Sequence, residues 1–476
     1  MKLPLPDFSA QLQTVSERWL PFADAVSGEL PLLRLMRLSL FQVTVGMAVV
    51  LLSGTLNRVM VIELGQAAWI VSLMVSLPLL FAPLRALIGH RSDHHRSFLG
   101  WRRVPYIWTG TMTQFGGLAI MPFALIVMTE PHSGPLWVGP AAAMLAFLLV
   151  GAGLHTVQTA GLALATDLAS ERTRPQVVAL LYVMLLIGMI VSSLAFASLL
   201  EDFNYLILIK VIQGAAVVTL VLNVVALWKQ EARQPHLTLP DRVRPAFRAS
   251  WRKFAGTERI PRLLLAVGLG TAGFSMQDIL LEPYGAEVLG LSVSQTTGLT
   301  AIFAGGMLAA FLLASRYLGR GTDPVRISGY GAVLGLFAFA AVTLAAPLDS
   351  PLLFRVGTAL IGLGGGLFAV GTLTSAMVSG RQEHRGLALG AWGAVQATAT
   401  GLAVAAGGAV RDIVSTWAGS GLLGEVLSGP AAAYSVVYHM EILLLFAALV
   451  AIGPLARQPG DSMETKPGMH LAEFPG

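Results

Sequence analysis

The chain contains no cysteine among its 476 residues, which excludes disulfides, thiolate nucleophiles, Cys-ligated zinc and Cys-held iron–sulfur clusters while leaving the compartment undecided. Charge is scarce as well. Asp, Glu, Lys and Arg make up 12% of the residues, against about a quarter in an ordinary soluble domain. A water-soluble fold of this length is thereby excluded. The sequence also lacks a Walker string, a His-Glu-x-x-His and a Gly-x-Ser-x-Gly, so nothing in its motifs argues for an enzyme.

What is present is apolar: hydrophobic residues make up 55% of the chain, with 51 glycines. A helix needs roughly 20 apolar residues to cross about 30 Å of hydrocarbon. Windows of that kind lie at 37–58, 66–89, 104–128, 138–166, 176–199, 205–228, 263–283, 294–317, 325–346, 353–378, 387–411 and 433–455. The expected fold class is an all-α polytopic membrane protein of twelve transmembrane helices. The fourth window is long enough to require tilt or a turn beyond the bilayer. Of the 31 Lys and Arg residues, only Arg58, Lys210, Arg355 and Arg411 fall outside one alternate set of loops and tails. Basic residues beside spans are retained on the cytoplasmic side, which predicts both termini there. The net charge of +5 does not imply nucleic acid, because the basic residues sit in short loops beside spans; anionic leaflet lipid is the matching partner.

The expected organisation is an N-terminal arm over 1–34, a six-helix bundle over 35–228, a basic linker over 229–262, a second six-helix bundle over 263–455 and a disordered tail over 456–476. The arm lacks the order of a cleavable signal, so the first span is expected to stay. In the arm, Phe8, Leu12, Val15 and Trp19 draw one apolar helical stripe; in the linker, Phe247, Trp251 and Phe254 share a face near Arg248, Arg252 and Lys253. Both read as interfacial helices, serving either as lipid anchors or as docking faces for a protein.

The two bundles echo each other. Gly89, three residues and Asp93, followed by Arg102 and Arg103, lie after the second span; Gly319, three residues and Asp323 lie after the eighth. Thr55-Leu56-Asn57-Arg58 leads to Leu64-Gly65 as Ile279-Leu280-Leu281-Glu282 leads to Leu289-Gly290. Duplication is the simplest account. Two such halves with paired Gly-x-x-x-Asp loops resemble the major facilitator superfamily, in which the site usually lies between the bundles near mid-membrane. The loop aspartate is expected to meet an arginine or a helix N-terminus. Glycine pairs such as Gly331 and Gly335, Gly362 and Gly366, and Gly386 and Gly390 fit close helix packing.

Polar groups inside spans are costly and therefore informative. The fourth span carries His155, Gln158, Thr159 and Thr166 on one stripe, with Asp167 near its end; the seventh carries Gln277, Asp278 and Glu282; the first ends in Asn57 and Arg58; the twelfth begins with His439 and Glu441. For Asp278 and Glu282 three roles stay open: a structural pairing, with Arg58 as one partner, contact with a ligand, or proton coupling. For His155 the alternatives are a hydrogen bond to a neighbouring helix and axial ligation of a pigment magnesium.

Five strings add a resemblance. Gly54-Thr55-Leu56-Asn57-Arg58-Val59-Met60, Arg85-Ala86-Leu87-Ile88-Gly89-His90-Arg91-Ser92-Asp93, Leu99-Gly100-Trp101-Arg102-Arg103-Val104-Pro105-Tyr106, Gln158-Thr159-Ala160-Gly161-Leu162-Ala163-Leu164-Ala165-Thr166-Asp167 and Met276-Gln277-Asp278-Ile279-Leu280-Leu281-Glu282-Pro283-Tyr284-Gly285 resemble the PucC/LhaA family of phototrophic bacteria. The resemblance implies a factor of the photosynthetic inner membrane that assembles light-harvesting antenna and delivers bacteriochlorophyll to its α and β polypeptides. The reaction centre and the pigment-synthesis or insertion machinery are further implied partners. Leu20-Pro21-Phe22-Ala23-Asp24-Ala25 and the overall length incline towards the branch serving the core antenna, LH1, over the peripheral antenna, LH2. The candidate pigment-binding residues are His155, Gln158, Asn57, Gln277, Asp278 and Glu282, with His155 as axial ligand of the magnesium. A proton-coupled transporter of a small amphipathic solute and a pigment-free membrane scaffold remain as rival functions.

Overall fold

The computed structural model describes residues 31–80, 101–129, 135, 137–170, 173–231, 259–379, 385–422, 424 and 429–456. Where they are described, the apolar windows fold into helices. They are α1 Leu33–Glu63, α2 Ala68–Leu80, α3 Val104–Thr129, α4 Val138–Leu168, α5 Arg174–Leu199 and α6 Tyr205–Leu227 in the first half. The second half has α7, in two arms Arg259–Ser275 and Leu281–Glu287, then α8 Val293–Gly319, α9 Pro324–Ala345, α10 Pro351–Ser379, α11 Arg385–Gly419 and α12 Pro430–Ile452. Among the described residues 10 helices are long and apolar enough to span a membrane, or 11 if the bent α7 counts as one span. The count of twelve is not reached, because α2 is described over only 13 residues. The protein is a multi-pass membrane protein. Large apolar side chains such as Phe123, Leu206, Phe337 and Leu443 stand exposed on the outer surface, where lipid tails cover them.

Two helices depart from the single regular spans expected of them. In α1, Val50–Leu56 and Val59–Glu63 are wound as π-helix, and Leu64 N–H reaches back to Val59 O at 3.0 Å. In α7 the expected span at 263–283 is broken: Met276–Ile279 tightens into a 3₁₀ turn and the arms meet at 40°. Gln277 and Asp278 lie in that turn, where backbone groups freed from the helix need partners from other helices.

The repeat is visible in the backbone. Gly65 follows α1 with φ +59° and Gly290 follows α7 with φ +62°, a left-handed conformation that glycine adopts without steric cost. Within each half, helices pack at backbone distance. A Cβ at Gly331 of α9 would lie 2.6 Å from Gly364 O of α10, which accounts for one of the expected glycine pairs. The side chains around Gly386 and Gly390 lie outside the described residues.

The end of the molecule that holds the start of α1 and the end of α6 is the linker side; the other is the far side. On the linker side, Arg34 Nη2 donates to Gln230 O at 2.7 Å and Arg37 Nη2 to Trp228 O at 2.7 Å, tying α1 to the chain leaving α6. Across the halves, α2 packs on α11 and α5 on α8. Asp412 of α11 accepts the Trp69 N–H at the start of α2 at 2.8 Å, and Ser193 of α5 donates to Thr297 O of α8 at 2.5 Å. These inter-half bonds lie towards the far side.

Candidate functional site

The break in α7 gathers buried polar groups from several helices. Glu441 of α12, 0% exposed, accepts the Gln277 N–H at 2.7 Å. Asn57 of α1, also 0% exposed, donates its side-chain N–H to Ile279 O at 2.8 Å. The turn is closed by Leu280 N–H on Gln277 O at 2.8 Å, and α11 lies against it, since a Cβ at Gly407 would sit 2.6 Å from Met276 O. Helices from both halves therefore complete a backbone that a lone helix in lipid leaves unsatisfied.

Side chains of the turn bond locally. Gln277 Nε2 donates to Phe274 O at 3.2 Å and to Asp278 Oδ1 at 2.5 Å, and Asp278 is half-buried. One turn on, Glu282 accepts the Thr300 hydroxyl of α8 at 2.6 Å. Thr55 and Thr297 face each other across the halves at 3.4 Å. Arg58 pairs with Glu63 of its own helix at 2.5 Å, so the partner considered for Asp278 and Glu282 makes its ion pair elsewhere.

The candidate residues thus fall into two groups. Asn57, Gln277, Asp278 and Glu282 are brought together where α1 meets α7. His155, half-buried, and Gln158, buried, sit one turn apart on α4, which packs on α3, α2, α1 and α5 of its own half. The neutral imidazole of His155 and the amide oxygens of Gln158 and Asn57 are the kinds of donor that a chlorophyll magnesium accepts without adding charge to hydrocarbon. Among the described residues no group of three or more His, Asp or Glu is placed to hold a metal ion. His439 is exposed, with Nδ1 2.6 Å from Ser435 O.

The loop motifs divide similarly. Gly89 and Asp93 lie outside the described residues, as do the two interfacial stripes and the tail beyond 456. Arg103 Nε donates to Asp167 at the end of α4 at 3.0 Å, and Arg102 lies 3.6 Å from the same oxygen. Gly319 ends α8, and Asp323 accepts the Val325 N–H at 3.1 Å, so this loop aspartate meets a helix N-terminus, that of α9.

Two structural roles carry no sequence signal. Glu441 stands out in the sequence as a carboxylate in an apolar span, but nothing there indicates that its partner is the backbone of α7. Glu231, one of three acids in the basic linker, accepts the N–H groups of Arg102 at 2.7 Å, Arg103 at 3.1 Å and Val104 at 2.9 Å, and so caps α3.

Comparison with known proteins agrees with this architecture. The PUCC protein family matches residues 55–459. Protein PucC of Rhodovulum sulfidophilum is 58% identical over 417 residues, covering 85% of this chain and 90% of that protein. An uncharacterized protein in the puhA-bchM intergenic region of Rhodobacter capsulatus is 54% identical over 465 residues, covering 96% and 97%. In fold the chain is similar to a mutant of the nucleoside transporter NupG, with TM-score 0.65, 15% identity and coverage of 88% of this chain and 99% of that one. Two helical halves meeting around a broken seventh helix, and a sequence match running through both of them, lead to one assignment: the chain belongs to the PucC family.

Proposed function

We propose that the protein is a membrane assembly factor for the bacterial light-harvesting antenna, which holds bacteriochlorophyll within the bilayer and passes it to antenna α and β polypeptides. The observation that carries this reading is the family match along nearly the whole chain. The core antenna, LH1, is the favoured client, and the reaction centre and pigment-insertion machinery are neighbours in the same membrane. The protein sits in the inner, intracytoplasmic membrane with both termini in the cytoplasm. Bacteriochlorophyll is cargo: a flat apolar ring with a long tail and one open magnesium position suits a lipid-facing surface bearing a neutral nitrogen or oxygen ligand. His155 is the residue assigned to that position, with Gln158 beside it and Asn57, Gln277, Asp278 and Glu282 as polar contacts at the seam. No bond in the pigment is made or broken, so the protein acts without being an enzyme.

A clean deletion tests the reading. Core antenna absorption is expected to fall more than peripheral absorption, while pigment synthesis continues. Normal core antenna in the deletion strain contradicts the function; selective loss of the peripheral band transfers the client to LH2.

One observation favours a second reading, a proton-coupled transporter of a small amphipathic solute. Glu282 and Glu441 are buried carboxylates near the meeting of the two halves, a placement that proton-driven carriers use. Proton-driven uptake into liposomes carrying the purified protein would establish it, and uptake indifferent to a proton gradient would remove it.

A further inference from the structure

The seam between α1 and α7 holds buried acceptors that no donor reaches. Glu282 is 4% exposed; its Oε1 accepts the Thr300 hydroxyl at 2.6 Å, while its Oε2 is buried with no partner. Asn57 gives its amide N–H to Ile279 O and leaves Oδ1 buried with no partner. Both unsatisfied oxygens are acceptors, and a buried acceptor without a donor is costly in an apolar interior. The neighbouring cation, Arg58, gives its Nη1 to Glu63, and its Nε is buried without a partner. Packing limits what could fill the need, since a Cβ at Gly54 would already lie 2.5 Å from Glu282 Oε1.

A proton is the donor that requires no volume. On Glu282 it converts an acceptor oxygen into an O–H that can be given to another acceptor at the seam. Among the described residues the other titratable groups around the seam are Arg58 and Glu63 on α1, Asp278 and Tyr284 on α7, and Tyr438 and Glu441 on α12; α8 presents the uncharged Thr297 and Thr300.

We propose that Glu282 is a proton-binding site of the inter-half seam. Its carboxyl is held as the acid while α1 and α7 are packed as described, and the proton returns to water when the halves part. Only the O–H bond forms and breaks, and water is both source and acceptor of the proton. By linkage, a ligand that favours the packed arrangement promotes proton uptake, and proton uptake favours that arrangement in turn. This inference goes beyond antenna assembly, since it holds for whatever cargo the protein carries.

Infrared spectroscopy of the full-length protein in lipid nanodiscs tests it, by the carbonyl stretch of a protonated carboxylic acid near neutral pH. One component of that band is expected in the wild type, lost in Glu282→Gln and retained in Glu441→Gln and Asp278→Asn. Thr300→Val, which leaves Glu282 in place but removes the hydroxyl on Oε1, is expected to shift the same component, so the proposal stays testable if Glu282→Gln folds poorly. Absence of an acid band in the wild type overturns the proposal, as does a band unchanged in both Glu282→Gln and Thr300→Val. Loss of the band on adding sodium at constant pH also overturns it, because the occupant is then a metal cation.

Discussion

Glu441 on α12 accepts the backbone N–H of Gln277 on α7 at 2.7 Å, in the same turn where Asn57 on α1 donates to Ile279 O. The break in α7 is therefore held from both sides, by a carboxylate of its own half and an amide of the other. Relative movement of the halves must disturb the second bond and can spare the first.

Removing the cap tests how much the break depends on it. Glu441→Leu leaves the Gln277 N–H without its acceptor in an apolar setting, at a cost of about 1–3 kcal/mol. Glu441→Gln keeps a carbonyl oxygen for the bond. Thermal unfolding in one detergent is expected to show a lowered midpoint for the leucine variant and a midpoint near wild type for the glutamine variant; equal midpoints for wild type and leucine would remove the capping role.

At the contact between the halves, a Cβ on Gly408 of α11 would sit 2.7 Å from Ala68 O of α2 and would also meet Ser72. Gly408→Ala is expected to force α2 and α11 apart, with overpacking costing about 1–3 kcal/mol. Gly393→Ala on the same helix meets nothing within 4 Å and serves as the control. Folded yield of the two variants compares them, and equal yields contradict the close approach.

On the linker side, Glu231 replaces a conventional cap at the start of α3. Glu231→Ala is expected to cost about 0.5–2 kcal/mol, the usual range for a lost helix cap. Asp167→Asn, which weakens a partly exposed ion pair with Arg102 and Arg103, is expected to cost less, about 0–1 kcal/mol. Unfolding midpoints of the two variants in the same detergent rank them, and the opposite order contradicts the assignment.

Much of the fold was legible because a bilayer imposes long apolar windows, and the echo of Leu64-Gly65 in Leu289-Gly290, which points to duplication, coincides with positive φ at both glycines. Asp323 as a helix cap was legible too, since an aspartate directly before Pro324 at a span start is a local signal. The break in α7 was not. In the sequence Gln277 and Asp278 stand out as polar residues in a span and so as candidate ligands, whereas in the structure they also mark where the helix stops being regular. Its stabilisers, Glu441 and Asn57, come from helices remote in sequence, and no local pattern encodes that meeting. The capping by Glu231 was hidden for the same reason: an acid in a basic linker gives no sign that three N–H groups more than a hundred residues earlier are its partners.

The central claim is that the protein carries bacteriochlorophyll, and pigment per protein after purification in mild detergent tests it most directly. The wild type is predicted to retain near-infrared pigment absorption. His155→Leu is predicted to fold yet retain less, and His155→Asn, whose amide oxygen can still ligate magnesium, to retain an intermediate amount. Equal pigment on His155→Leu and wild type removes the ligand role of His155, and a wild-type protein that purifies without pigment contradicts the claim itself.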